Sequence, residues 1–188
     1  IARGLIQIYG REGDLLFDPY CGSGTSLVEG RLAGMNVCGT DLNPTARMIA
    51  RAKSINYDLD ELKKDIEAFK LNLKLELSTV QTSTEFTEPE FDTLDRLSSW
   101  FPIKSILEVS HCIGKSELIS NIDNKNFILI ALSECLRLVS FQRNREFKLY
   151  RIVESDRESH YVELYNLLTT RIDRNLKGLE SFMQAVET

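Results

Sequence analysis

The residues best suited to chemistry lie together near the N-terminal end, in Phe17-Asp18-Pro19-Tyr20-Cys21-Gly22-Ser23-Gly24-Thr25. The short apolar run Asp14-Leu15-Leu16-Phe17-Asp18 reads as a strand that stops at an acid. Gly22 and Gly24 then permit a tight turn and close backbone approach to a ligand. A helix following directly points its opening amides at the same space, which favours an anionic or carboxylate-bearing group. Asp41 follows a second short apolar run, Met35 to Gly39, and lies 17 residues beyond Gly24. That spacing is one helix plus one strand, and it places Asp41 to accept hydrogen bonds from two ribose hydroxyls. Leu42, next along, could pack against an adenine ring. The pattern is a nucleoside-binding geometry.

Two other nucleotide motifs fit less well. Gly114-Lys115-Ser116 ends as a phosphate-cradling loop would, but Val109 stands where the opening glycine belongs. A dinucleotide fingerprint would want a third glycine where Leu27 stands. Two glycines with an acid directly ahead of them suit S-adenosylmethionine better than a pyrophosphate.

The elements that must position these residues can be read from period and punctuation. Leu5 to Tyr9 has helical character, ended by Gly10 and Gly13. A helix from Thr25 to Leu32 follows the loop, with Gly34 at its stop. Asn43 and Pro44 then serve as N-cap and first helical residue. This β-turn-α-β-turn-α order opens a parallel α/β sheet. Beyond Lys53 the pattern turns helical. Leu59, Leu62, Ile66, Phe69, Leu73 and Leu77 form one amphipathic stripe. Gln81 to Thr87 reads as a loop, and Thr87-Glu88-Pro89-Glu90 as a capping box ahead of Phe91, Leu94 and Leu97. Further helices are expected after Pro102, over Asn126 to Val139, and along Val162 to Met183. The fold class is therefore α/β: a partial Rossmann-like sheet with two strands visible, and a large all-helical insertion. We divide the chain into a cofactor-binding part, residues 1–54, and the insertion, residues 55–188.

Composition bounds the rest. The chain has 188 residues, 43% of them hydrophobic, with a net charge of −5, enough apolar content for a real core and too acidic for indiscriminate nucleic-acid binding. The charge is uneven. Asp58 to Asp95 is net −7 and suits a solvated surface, whereas Arg137, Arg143, Arg145, Lys148 and Arg151 against Glu146 make a basic patch of net +4. That patch either contacts DNA phosphates or is a solvated helix face. Trp100-Phe101 reads as core or an interface anchor rather than a base-stacking platform. Cys21, Cys38, Cys112 and Cys135 have no short pair spacing, so they read as free thiols of a reducing compartment, and no metal site is assigned despite the neighbouring His111 and Cys112. No apolar run is long enough to span a bilayer, and no signal peptide is read, so the expected location is the cytoplasm. A start at Ile1 rather than Met suggests a piece of something longer.

Residues 13–54 closely resemble motifs I and II of the amino-methylating DNA methyltransferases, which act on adenine N6 or cytosine N4. Asp18, Pro19, Gly22, Ser23, Gly24 and Thr25 match the first motif, with Tyr20 for the usual Phe and Ser26 for a second Thr. Gly39, Asp41, Asn43 and Pro44 match the second. The resemblance implies S-adenosylmethionine as cofactor, with Asp18 to Thr25 (Cys21 included) lining its methionine end, and Asp41 with Leu42 and Asn43 at its nucleoside. It also implies double-stranded DNA as partner and a prokaryotic restriction-modification setting. In such enzymes a Pro-Pro-aromatic motif holds the flipped base and polarises the amine that attacks the methyl group. Here Pro19, Pro44, Pro89 and Pro102 are the only prolines and none are adjacent. No catalytic residue can therefore be nominated, and the chain by itself is expected to be inactive, with the missing segment supplied in cis or in trans. The aromatic segment expected upstream of the loop is likewise absent from these residues. A split or degenerate binding subunit and an RNA methyltransferase remain alternatives.

Overall fold

The computed structural model describes residues 1–82, 94–143 and 148–187. They form two compact units, Ile1–Asp60 with Arg174–Thr188, and Glu61–Asp173.

The first unit holds α1 (Ala2–Tyr9), β1 (Leu15–Asp18), α2 (Thr25–Leu32), β2 (Asn36–Gly39) and α3 (Pro44–Ser54). β1 and β2 pair in parallel, Leu15 opposite Asn36 and Asp18 opposite Gly39. Parallel neighbours need a crossover, and α2 supplies it. Side chains alternate across the sheet. Leu16 and Val37 pack on a small core of Cys21, Leu27 and Ala50. Leu15 and Phe17 point the other way and are 68% and 57% exposed. α1 is tied to α2 by Arg3 Nε to Glu29 Oε2 at 2.8 Å. That hydrogen bond holds the Glu29 carboxyl below the usual carboxylate range. Asn43 caps α3 as expected, its Oδ1 accepting from Thr45 N at 2.9 Å.

The second unit is built on helices. α4 (Leu59–Thr82) buries the stripe Leu62, Ile66, Phe69, Leu73 and Leu77. α5 (Leu94–Ser98), α6 (Ile103–Ser116), α7 (Ile122–Val139), α8 (Glu154–Arg157) and α9 (Leu164–Glu187) follow, the part of α9 from Arg174 on belonging to the first unit. α7 starts four residues before the expected Asn126, because Asn121 Oδ1 takes the amides of Asp123 and Asn124 at 3.0 and 3.3 Å and nucleates the helix there. Within this unit Asn124 Nδ2 donates to Asp65 Oδ2 at 2.8 Å and Lys70 Nζ meets Asp173 Oδ1 at 2.7 Å. Leu164, Leu168 and Ile172 on α9 are fully buried.

Several expectations are answered here. The capping box at Thr87 to Glu90 and the residues Arg145 and Phe91 lie outside the described residues. Gly114-Lys115-Ser116 is the end of α6: Lys115 pairs with Glu76 at 2.8 Å and Ser116 Oγ donates to Ile113 O, so the triplet forms no loop. Cys112 is fully buried, with burial pushing its thiol up to about 12, and His111 Nδ1 sits 3.2 Å from Glu76. Among the described residues no cluster could hold a metal, and all four cysteines are free thiols. The helix-face alternative for the basic segment holds for Arg137, in the last turn of α7, and is corrected for Arg143 and Arg151. α7 ends at Val139, and Gln142 pairs with Arg151 across an antiparallel bridge. Among the described residues no helix is long and apolar enough to cross a membrane.

Candidate functional site

β1 delivers Asp18 to the loop and β2 delivers Thr40 and Asp41 beside it. The loop is stitched to the strand ends by backbone bonds: Thr40 N donates to Asp18 O at 3.0 Å, and Cys21 N to Thr40 O at 2.9 Å. Gly24 N then closes a turn on Cys21 O at 2.8 Å. Gly22 and Gly24 both take left-handed backbone, with φ of 51° and 80°. The two glycines do different work. A Cβ on Gly24 would lie 2.7 Å from Ala50 Cα, so this glycine lets the loop lie against α3. A Cβ on Gly22 would meet nothing within 4 Å, so this backbone faces open space where a ligand can approach.

The two acids organise the loop. Asp18 Oδ1 accepts from Tyr20 N at 3.0 Å, and Oδ2 accepts a hydrogen bond from Ser26 Oγ. Asp41 Oδ2 accepts from Gly22 N at 3.0 Å, and Oδ1 from Asn43 N at 2.8 Å. Each carboxylate oxygen has a further lone pair, so Asp41 can hold the loop and still accept from a ligand hydroxyl. The structure thus brings Asp18, Gly22, Ser23, Gly24, Thr25, Asp41 and Asn43 into one strand-end constellation. Pro19 contributes its carbonyl, which accepts from Thr40 Oγ1 at 2.9 Å. Tyr20 and Leu42 are 84% and 94% exposed, two apolar side chains on the loop segments with little covering them. Cys21 is buried instead, and burial first, then Asp41 and Asp18, raises its thiol pKa, so it serves as packing rather than a nucleophile.

Three supporting residues escaped the sequence reading. Ser26, noted only as a substitution for threonine, ties α2 back to Asp18. Arg47 Nη1 donates to Asp41 O at 2.8 Å, and Lys53 Nζ to Ser23 O at 3.2 Å. Arg47 and Lys53 both lie on the helix that Asn43 caps, one and nearly three turns from its start, and no spacing in the sequence marks their reach to the loop. The apolar groove lined by Leu5, Tyr9, Leu15 and Met35 shares no residue with this constellation.

The donor set suits a nucleoside ligand. One acid sits at each strand end, backbone faces open space at Gly22, and the first amides of α2 have no intrahelical acceptors. The family described as "RMKL-like, methyltransferase domain" matches residues 1–97, more than half of the sequence. The chain belongs to that methyltransferase-domain family. The methyltransferase family read from residues 13–54 is thereby borne out, as is the α/β class. Among curated proteins, the Type II methyltransferase M.MvaI of Kocuria varians is 33% identical over 175 residues, covering 92% of this chain and 38% of that protein. M.MjaII of Methanocaldococcus jannaschii is 40% identical over 82 residues, 44% of this chain and 15% of that protein. M.BsoBI of Geobacillus stearothermophilus is 24% identical over 170 residues, 84% of this chain and 31% of that protein. The chain therefore spans well under half the length of the curated relatives it matches. No solved structure gives a significant match.

Proposed function

We propose that the complete protein is a DNA amino-methyltransferase, transferring a methyl group from S-adenosylmethionine to adenine N6 or cytosine N4. Residues 1–54 supply the cofactor loop, and residues 55–188 supply a helical insertion that serves DNA. The observation that carries this reading is Asp41 joining the loop at Gly22 to the end of β2, beside backbone that faces open space. When bound, S-adenosylmethionine supplies an electrophilic methyl group on a sulfonium. Asp41 would hold the ribose hydroxyls, the Asp18–Thr25 turn would hold the methionine end, and Leu42 would give the adenine apolar surface. Asp18 and Ser26 keep the turn in shape for that task. DNA is favoured over RNA because similarity to two Type II methyltransferases runs through the helical insertion, over 92% and 84% of this chain. Arg137, Arg143, Arg145, Lys148 and Arg151 are proposed to contact the duplex. A cytoplasmic, prokaryotic setting accompanies the reading.

Calorimetry of S-adenosylmethionine against the complete protein tests it. Asp41→Ala should weaken binding by roughly 1–3 kcal/mol, the loss of hydrogen bonds to a charged acceptor. Unchanged affinity would reject Asp41 as the ribose partner. The 188-residue chain alone should bind weakly and transfer no methyl group, and tight binding there would reject the view that the pocket needs further segments. The gene downstream of Thr188 shows whether a Pro-Pro-aromatic segment is supplied in cis.

A further inference from the structure

Helix α3 meets both turns of the strand-end constellation. Asn43, Arg47, Ala50 and Lys53 recur at spacings of four, three and three, which puts them on one face of the helix. At the helix start Asn43 N donates to Asp41 Oδ1 at 2.8 Å, and one turn on Arg47 Nη1 donates to Asp41 O at 2.8 Å. Asp41 is thus held at its carboxylate and at its main chain, with Oδ2 on Gly22 N at 3.0 Å. At mid-helix Ala50 is the surface on which Gly24 rests, since a Cβ added to that glycine would lie 2.7 Å from Ala50 Cα. Near the helix end Lys53 Nζ donates to Ser23 O at 3.2 Å, between two glycines whose φ values are 51° and 80°. Arg47 and Lys53 are both exposed, so neither fills the core. Each holds the main-chain carbonyl of a different turn.

We infer that α3 fixes the two ends of the cofactor cradle separately, Arg47 positioning the nucleoside end through Asp41 and Lys53 positioning the methionine end through Ser23. The inference rests on the S-adenosylmethionine reading above and names the residues that set affinity at each end of that site. The two side chains leave the helix roughly 9 Å apart along its axis, so one does not substitute for the other. Ser23 stands between two glycines in left-handed backbone, a segment with more conformational freedom to lose on binding than the strands beside it. The bond from Lys53 removes part of that freedom before a ligand arrives, which is how preorganisation raises affinity. Arg47 fixes the peptide between Asp41 and Leu42 in the same way, and with it the direction in which the Asp41 carboxylate is offered to ribose hydroxyls. Adenosine occupies only the first end, whereas S-adenosylmethionine occupies both.

Calorimetry of the complete protein with S-adenosylmethionine, and with adenosine as competitor, tests this. Arg47→Met should weaken both ligands by the same factor, about three- to tenfold, the loss of one hydrogen bond. Lys53→Met should weaken S-adenosylmethionine by a similar factor and leave adenosine unchanged. Methionine keeps an unbranched side chain and good helix propensity, so the unfolding midpoint without ligand should stay where it is. Lys53→Arg should restore S-adenosylmethionine binding, because the donor returns. If Lys53→Met weakens adenosine as much as S-adenosylmethionine, or weakens neither, the assignment to the methionine end is overturned. Arg47→Met without effect on adenosine removes Arg47 from the nucleoside end. Losses that track a lower unfolding midpoint make α3 a structural brace only and overturn the inference as well. A wild type that binds S-adenosylmethionine but not adenosine overturns the division into two ends. A wild type that binds neither overturns the proposed cofactor itself, whatever the variants do.

Discussion

The two units divide their labour by burial. In the cofactor unit, the residues richest in chemical meaning lie on turns, and the core beneath them is small: Cys21, Leu27 and Ala50, with Leu16 and Val37 against it. One face of its sheet, with Leu15 and Phe17, is open. The helical unit has little motif content, yet Leu62, Ile66, Leu73, Ile128, Leu164, Leu168 and Ile172 there are all below 2% exposed. Parallel sheets are ordinarily covered on both faces. The comparison teaches that the first unit is organised by hydrogen bonds at strand ends, and the second by side-chain packing. Substitutions should separate the two.

The largest effect is expected in the packed unit. Leu168→Ala, at a position of 0% exposure, should cost about 2–5 kcal/mol of unfolding free energy in urea titration. Leu15→Ala on the open sheet face should change it by less than about 0.5 kcal/mol. Equal losses would break the comparison. Within the loop, Gly24→Ala adds overpacking against Ala50, about 1–3 kcal/mol, to a left-handed backbone cost of about 1–2 kcal/mol. Gly22→Ala carries only the second cost, since its Cβ meets no neighbouring atom. Its main consequence should appear in S-adenosylmethionine titration of the complete protein. If Gly22→Ala destabilises as much as Gly24→Ala, the separation between packing glycine and ligand-facing glycine fails.

The same division explains what the sequence made legible. α2 was readable at both ends, Thr25 and Leu32, because Gly24 and Gly34 punctuate it, and both take positive φ in the structure. Asp18, Asp41 and Asn43 were found because strand-end acids and an Asn-Pro pair leave local signatures. The Ser26, Arg47 and Lys53 contacts to the loop were not, since each depends on where a helix lies relative to the turn rather than on spacing along it. In the helical unit, the α4 stripe was legible from periodicity alone. The bridge at Gln142 and Arg151 was not: a charged run with interleaved aromatics carries no period, and its geometry is set by tertiary anchors at Phe141, Trp100 and His160.

The finest separation lies between two carboxylates of the helical unit. Glu108 is 5% exposed; Tyr161 Oη donates to its Oε1 at 2.6 Å, and among the described residues its Oε2 meets no hydrogen-bond partner. Burial raises its carboxyl above the ordinary value, more than the Tyr161 hydrogen bond, nearby Lys104 and the Leu164 backbone lower it, and Glu163 adds to the rise. The folded chain therefore holds this proton more tightly than the unfolded chain. The associated stability is present below the unfolded pKa and is lost as pH rises through the folded one. Glu76 is the opposite case. The Lys115 hydrogen bond leads in lowering its carboxyl, so its contribution is present above the unfolded pKa and is lost as pH falls through the folded one. Urea titrations from about pH 4 to pH 8 should show Glu108→Gln gaining on the wild type as pH rises, because Gln keeps an acceptor for Tyr161 without a buried charge. Glu76→Gln should lose on the wild type over the same range. Parallel curves for both variants would mean that neither carboxylate senses its surroundings differently in the folded chain.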